Sequence, residues 1–177
     1  MIELHDISQT FGNFHALRGI NLTVRQGAVT CVLGDNGAGK STLIKILAGL
    51  TPPTGGTISV DGEEVRFASP RDSLDAGIAT VYQDLELVPS LSVWRNFFLG
   101  QELTGAFGRL REEEMKRITH DQLSEMGIVL GDVSVELSAL SGGQRQVVAI
   151  ARAIYFGARY IILDAVSYTH LTLPTKA

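Results

Sequence analysis

The stretch GDNGAGKS, residues 34–41, decides the fold, and it follows the short apolar run AVTCVL of residues 28–33. This run has the length and the β-branched content of a strand. Glycines 34, 37 and 39 allow positive φ angles and close backbone approach, so that successive N–H groups can turn inward around an anion. We therefore predict a strand over 28–33, followed by a loop that binds phosphate at the N-terminus of the next helix.

The helix after the loop and two loop side chains extend this prediction to a nucleotide. Residues 41–50 place leucine and isoleucine at i, i+3, i+4 and i+7, which is typical of a helix with one apolar face. Lys40 should reach the β- and γ-phosphates, and the Ser41 hydroxyl should hold Mg²⁺. An ordinary glycine turn is the alternative, but the pattern is rare by chance. The predicted nucleotide contacts are Gly34, Asp35, Asn36, Gly37, Ala38, Gly39, Lys40, Ser41 and Thr42.

A second glycine-containing turn, LSGGQ (residues 140–144), begins another helix. Ser141 suits the N-cap, and the two glycines that follow expose backbone N–H groups. The apolar side of this helix should end near Gly157 and is formed by Val147, Val148, Ile150, Ala151 and Ile154. Taken alone, the segment could be a simple capped helix. With the phosphate loop upstream, we interpret it as a second helix end that faces phosphate.

In this order, GDNGAGKS and LSGGQ resemble the two ATP-contacting motifs of the nucleotide-binding domain of ABC ATPases, over residues 1–164. The resemblance implies ATP and Mg²⁺ as cofactors and an α/β fold, in which a P-loop NTPase core carries an antiparallel β subdomain and a helical subdomain. It also implies a head-to-tail dimer. In that dimer the signature residues of one domain contact the ATP of the other: Ser141, Gly142, Gly143 and Gln144.

Three further positions match functional residues of the resembled family. Phe11 matches the aromatic residue that stacks on adenine, although Phe14 competes for this role and a core position is the alternative. Gln83 matches the glutamine that contacts Mg²⁺ and the attacking water. Asp164 ends the apolar run YIILD, which suits a strand buried on both faces, and it matches the aspartate that holds Mg²⁺ through water. The implied metal contacts are Ser41, Gln83 and Asp164.

The residue after Asp164 departs from the family pattern. A glutamate that polarises the attacking water is expected there, but the residue is Ala165, and no Asp or Glu follows it. The segment VSYTHLTLPT resembles one reading frame of a transposase adapter used in preparing sequencing libraries. We therefore interpret 165–177 as a non-native tail and 1–164 as a C-terminally incomplete domain. The intact protein is expected to be an ATPase, and this chain is expected to bind nucleotide without hydrolysing it.

Composition and charge exclude several classes of protein. A chain of 177 residues with 45% hydrophobic and 19% charged residues indicates one globular domain with a sizeable core. The net charge of −4 argues against a nucleic-acid partner. No apolar run reaches the ~18 residues that a membrane span needs, and the start lacks signal-peptide features. The single cysteine, Cys31, is expected to be a small buried residue of the strand over 28–33.

Turn and cap signals divide the rest of the chain. The sequence TISVDGEEVRF predicts a hairpin with Asp61 and Gly62 at its turn. Ser69, Pro70 and Asp72 predict a capped helix start. Residues 89–157 have helical patterns and are interpreted as the helical subdomain.

The partners follow from a narrower resemblance. Residues 66–102 are similar to the ATPases of bacterial ribose, xylose and fructose importers. This implies a peripheral subunit on the cytoplasmic face of the bacterial inner membrane. Its implied partners are a second ABC ATPase domain (homodimer or tandem half), integral membrane permease subunits and, indirectly, a periplasmic sugar-binding protein. ABC ATPases that act on ribosomes stay an alternative.

Three aromatic residues bear on the permease partner. Trp94, Phe97 and Phe98 follow Gln83, where transporters of the resembled type bind a coupling helix of their membrane subunits. An exposed aromatic cluster would mark a partner surface. The alternative is that these side chains belong to the core.

Overall fold

The computed structural model describes residues 1–82 and 87–164, which form two compact units. The first unit comprises residues 1–80 and 158–164, and the second comprises the described residues of 81–157. Each unit has its own hydrophobic core. Within the described residues, no helix is long and apolar enough to cross a membrane.

The first unit is built on an antiparallel four-stranded sheet. Its strands are β1 (Ile2–Phe11), β2 (Phe14–Val24), β3 (Gly55–Val60) and β4 (Glu63–Val65), in the order β2-β1-β3-β4. Ile2 pairs with Val24 on one side and with Val60 on the other. Ile2, Leu4 and Ile7 of the central strand are buried, and Asp61 and Gly62 form the predicted turn between β3 and β4. The hairpin prediction is confirmed.

Two helices and a second, two-stranded sheet complete the first unit. The helices are α1 (Lys40–Leu47) and α2 (Pro70–Asp75), and the strands are β5 (Ile78–Val81) and β6 (Tyr160–Leu163). The predicted capping box of α2 is present between Ser69 and Asp72. The backbone N–H of Ala68 donates to the Asp72 carboxylate and, together with the Ser69 side chain and N–H, lowers the pKa of Asp72.

The turn of the β3–β4 hairpin anchors the start of β6. The Tyr160 hydroxyl donates to Asp61 Oδ1 at 2.6 Å, and Arg159 and the α-ammonium of Met1 also contact this carboxylate. The α-ammonium hydrogen bond, followed by that of Tyr160, lowers the pKa of Asp61. Since Arg159 N and Tyr160 N both donate to Gly77 O, at 2.8 and 3.0 Å, the beginning of β6 is fixed from two sides. These bonds position the strand that leads to Asp164.

The second unit is helical. It contains α3 (Val93–Phe98), α4 (Glu112–Glu125) and α5 (Gly142–Tyr155), with short 3₁₀ turns at Ala106–Gly108 and Leu137–Ala139. Phe97 and Phe98 pack against each other and against Tyr155 and Phe156. The ring centroids of these five pairs are 5.2–6.3 Å apart. Trp94, Phe97 and Phe98 are all buried. Of the two alternatives, the core position is therefore confirmed for all three residues, because these rings fill the core between the helices.

The strand predicted over 28–33 is absent, and this prediction is wrong. The segment has no regular secondary structure, Val29 and Leu33 are 82% and 90% exposed, and Cys31 is exposed too. An apolar strand is buried only when neighbouring strands and covering helices surround it. None of the described strands pairs with 28–33. For the same reason YIILD is only partly covered: Tyr160 is buried, but the next three residues of β6 are half-buried.

Two helix predictions also need correction at their ends. Helix α1 ends at Leu47, and Leu50 is half exposed. The cause is Gly49, which adopts φ 71° and terminates the helix. In α5, Val148 and Ala151 are buried as predicted, whereas Ile154 is 45% exposed near the C-terminal end.

Candidate nucleotide-binding site

Helix α1 begins with an N-terminus that no side chain caps. Its N-cap is Gly39, with φ 87°, which has no side chain to accept a hydrogen bond from the first turn. The first intrahelical bond runs from Leu43 N to Gly39 O at 2.9 Å. The N–H groups of the first turn lack intrahelical acceptors, and the helix dipole gives this end a partial positive charge. The arrangement favours an anionic ligand.

The Lys40 side chain binds two carbonyl groups at the start of its own loop. Its ammonium donates to Gly34 O at 2.5 Å and to Asp35 O at 2.7 Å. An ammonium group has three donors, so one proton is left for a ligand. The loop also has an internal bond from Ala38 N to Asp35 O at 3.1 Å. These contacts hold a positive charge beside the open helix N-terminus.

The end of the loop rests directly on β2. A methyl group added to Gly39 would lie 2.6 Å from the backbone oxygen of Ala16 and from Leu17 Cδ2. Only glycine fits this contact, since real Cβ atoms do not approach that closely. The contact fixes the loop against β2. Phe11 and Phe14 flank the turn that joins β1 to this strand.

Phe11 and Phe14 face each other across the β1–β2 turn as cross-strand partners. Their side chains are 51% and 63% exposed, so the alternative that Phe11 belongs to the core is wrong. An exposed aromatic face on the hairpin that the phosphate-binding loop contacts is suited to stacking on a nucleobase.

Phe11 and Phe14 are expected to differ in their contribution to ATP affinity. We expect Phe11→Ala to weaken ATP binding by about tenfold, because base–aromatic stacking contributes ~1–3 kcal/mol. Phe14→Ala is the matched control and should change the affinity less. Titration of each variant with a fluorescent ATP analogue measures both. A larger loss for Phe14→Ala would transfer the stacking role to that residue.

The signature turn lies in the second unit and starts α5. Gln144 N donates to Ser141 Oγ at 3.3 Å, and Ser141 N donates to Gln144 Oε1 at 2.9 Å, which completes a capping box. The predicted N-cap is confirmed. Because the Ser141 oxygen accepts this bond, its own proton stays available to a ligand. Gly142 and Gly143 are exposed, with open space where a side chain would stand.

Of the remaining predicted site residues, some lie within the described parts of the chain and others outside them. Ser41 is exposed in the first turn of α1, and Asp164 is half-buried directly after β6. Both lie in the first unit. Gln83, Ala165 and the segment 165–177 lie outside the described residues.

Sequence reasoning missed two side chains that organise the second unit. Asn96 is fully buried and binds four backbone groups, and Arg145 binds two carbonyl groups beside the signature turn. The signal for Asn96 is a single amide inside the otherwise apolar and aromatic run of α3. Arg145 carries no comparable signal, because an arginine on a helix is ordinary.

A family model described as ABC transporter matches residues 17–167. The chain belongs to the ABC transporter family. This confirms the resemblance seen in the loop and the signature turn. The match begins in β2 and includes the loop, the signature turn and Asp164.

Curated relatives of this ABC chain are sugar-import proteins. It is 42% identical over 164 residues to the xylose/arabinose import ATP-binding protein XylG of Sulfolobus acidocaldarius, covering 93% of the chain and 65% of the relative. It is also 42% identical to the ribose import ATP-binding protein RbsA 1 of Burkholderia thailandensis, covering 93% of the chain and 32% of the relative. The chain thus spans about two thirds of one relative and one third of the other.

Solved structures confirm the predicted ABC ATPase fold. An ATP-binding cassette of an ABC transporter in its ADP conformation matches with a TM-score of 0.77 and 25% identity, covering 91% of this chain and 66% of that one. A dimeric ATP-binding cassette bound to ADP and Pi matches with a TM-score of 0.69 and 26% identity, covering 92% and 73%.

Proposed function

We propose that this ABC chain binds MgATP through the loop from Gly34 to Thr42. The observation that carries the proposal is the uncapped N-terminus of α1 beside the Lys40 ammonium. Backbone N–H groups and one free ammonium proton match the oxygens of a β- and γ-phosphate. Phe11 supplies an exposed ring for the adenine.

The donor groups on the first unit also fit Mg²⁺. The Ser41 hydroxyl and the Asp164 carboxylate are hard oxygen ligands, which Mg²⁺ prefers together with phosphate oxygens and water. Ser41 would bind the ion directly and Asp164 through water. Gln83 completes the proposed set from the family resemblance. Bound Mg²⁺ would neutralise charge on the triphosphate.

The signature turn requires a second domain in this proposal. Ser141, with a free hydroxyl proton, and Gly142 and Gly143, with exposed backbone, form a helix end that suits phosphate. With Gln144 they would contact the ATP held by a partner domain. A dimeric cassette among the similar structures supports this arrangement.

For the whole protein, we propose the ATP-binding subunit of a bacterial sugar importer, on the cytoplasmic face of the inner membrane. The names of relatives at 42% identity support a pentose: xylose, arabinose or ribose. Permease subunits would be its membrane partners, with a sugar-binding protein acting on them from the periplasm. Catalysis of hydrolysis would come mostly from positioning and charge stabilisation of the triphosphate.

A groove on the second unit offers a place for a permease contact. Its volume is about 400 Å³, and its walls include the start of α3 and one side of α4. Trp94, Arg95 and Lys116 are among the residues that line the groove. Arg95 Cζ and Lys116 Nζ lie 5.0 and 5.9 Å from the centroid of the Trp94 ring. Glu112 and Glu136 also line it, so the groove presents both charge signs to a partner.

A second candidate function is nucleotide binding without hydrolysis by this particular chain. The observation that favours it is Ala165, which stands where the family places the catalytic glutamate. We expect the 177-residue chain to bind MgATP and to release no phosphate. Appreciable turnover would contradict this candidate and leave the binding proposal intact.

The importer proposal is tested in the host cell. Disruption of the gene that encodes this chain should abolish uptake of one radiolabelled pentose, while uptake of glucose serves as the control. The physical reason is that, in this proposal, the ATP-binding subunit supplies the ATP-driven closure on which the permease depends. Unchanged uptake of xylose, arabinose and ribose would contradict the sugar-importer proposal.

A further inference from the structure

We infer that Arg145 is a positioning residue for the signature turn. It acts within a hydrogen-bonded frame that comprises residues 88–92, Asn96, residues 136–140 and Arg145. The inference rests on the proposed role of this turn toward a partner's ATP. It deepens that role by naming what holds Ser141, Gly142 and Gly143 in place. All residues of the frame belong to the second unit.

The Arg145 side chain contacts the residues just before the signature turn. Arg145 is half-buried in the first turn of α5 and reaches back past the N-cap. Its Nε donates to Leu140 O at 2.9 Å, and its Nη2 donates to Ser138 O at 3.0 Å. A guanidinium group offers donors in a rigid planar fork, which suits two carbonyl groups at fixed spacing. Arg145 therefore ties the approach to the turn onto the helix that follows it.

Backbone hydrogen bonds join Leu137 and Ser138 to the segment that precedes α3. Leu137 N donates to Leu91 O at 2.9 Å, and Ser138 N donates to Pro89 O at 3.0 Å. Ser92 and Glu136 form an isolated β-bridge beside these bonds. Ser138 thus links the two segments, since its N–H donates to Pro89 O while its carbonyl accepts from Arg145 Nη2.

The buried amide of Asn96 contacts the backbone of residues 88–92. Asn96 Oδ1 accepts from Val88 N at 2.7 Å. Its Nδ2 lies within hydrogen-bond distance of the carbonyls of Val88, Leu91 and Ser92, at 2.9, 3.1 and 3.1 Å. Both polar atoms of this fully buried side chain are therefore satisfied, which offsets the cost of burying them. The amide thus ties the segment 88–92 to α3.

The signature turn itself has few contacts that could fix it. Ser141, Gly142 and Gly143 are exposed, and neither glycine has a neighbour within 4 Å of the position where a Cβ would lie. The rest of α5 packs through Val148 and Ala151 in the core of the second unit. Removing Arg145 should consequently loosen the turn while the helix stays folded.

The test is amide hydrogen exchange on the 177-residue chain and its Arg145→Ala, Arg145→Lys and Gln146→Ala variants. Gln146 is half-buried on the same helix and provides the matched control. We expect the amides of Leu140, Ser141 and Gln144 to exchange about tenfold faster in Arg145→Ala, because two charge-assisted bonds are lost. The amides from Val148 to Tyr155 should keep their rates. Arg145→Lys should be intermediate, and Gln146→Ala should match the parent chain.

The frame predicts a second exchange pattern. Asn96→Asp keeps the oxygen that accepts from Val88 N but replaces the donor that faces three carbonyls. The amides of Leu137 and Ser138 should then exchange faster, followed by those of the turn. Unchanged exchange rates at Leu137 and Ser138 would contradict the role of Asn96 in the frame.

A functional readout separates positioning from general stability. In sedimentation with MgATP, Arg145→Ala should weaken ATP-dependent association about tenfold, while the ATP affinity of the monomer stays unchanged. Unchanged exchange at the turn, or faster exchange along all of α5, would overturn the inference. Failure of the parent chain to bind ATP would contradict the proposed function alone, since the exchange experiment needs no nucleotide.

Discussion

Replacing Lys40 with alanine lowers the affinity of the chain for MgATP at least about a hundredfold. Hydrogen bonds to charged groups contribute ~1.5–3 kcal/mol each, and the Lys40 ammonium can serve both the β- and γ-phosphates. A loss of ~3 kcal/mol corresponds to about a hundredfold change in Kd. Isothermal titration calorimetry of the parent chain and the variant measures this difference.

Lys45→Ala is the matched control for this experiment. Lys45 is exposed in the last turn of the same helix, so its loss removes an equal charge from the end of the helix opposite the loop. Its affinity for MgATP should stay within about twofold of the parent value, because exposed charges contribute little. Retained affinity in Lys40→Ala would contradict the assignment of the phosphate loop.

Replacing Gly39 with alanine has the largest expected effect on stability. The residue has φ 87°, which costs a non-glycine residue ~1–2 kcal/mol, and the new methyl group would lie 2.6 Å from Ala16 O. Neither the strand nor the loop can move away without losing the contact between them. We expect the free energy of unfolding of the first unit to fall by more than about 3 kcal/mol, since overpacking adds ~1–3 kcal/mol to the backbone strain.

Gly37→Ala isolates the steric part of this effect. Gly37 has nearly the same backbone angle, φ 88°, but no atom lies within 4 Å of the added methyl position. It should therefore lose only the ~1–2 kcal/mol of backbone strain. Urea unfolding without nucleotide compares the two variants. Equal losses would show that the close contact with β2 has no energetic consequence.

The parts of the fold that sequence predicts correctly depend on local side-chain chemistry. The capping box of Ser69 with Asp72 and the N-cap at Ser141 are both predicted, and each side chain has its partner three residues away. Asp61 and Gly62 form the hairpin turn because both residues tolerate a positive φ. Each of these features is decided within a few residues, so the sequence contains all the required information.

The features that sequence does not predict depend on distant partners. The segment 28–33 has the composition of a buried strand, but its burial requires neighbouring strands that the described residues do not provide. Trp94 and Phe97 look the same in sequence whether they face a core or a partner. The close approach of Gly39 to Ala16 joins residues more than twenty positions apart. Periodicity cannot reveal such contacts.

The most direct test of nucleotide binding is a crystal structure of this chain with Mg²⁺ and a non-hydrolysable ATP analogue. We expect the β- and γ-phosphates to lie against the backbone N–H groups from Gly37 to Ser41, within hydrogen-bond distance of Lys40 Nζ. A loop without phosphate, or an analogue bound elsewhere on the chain, would contradict this expectation.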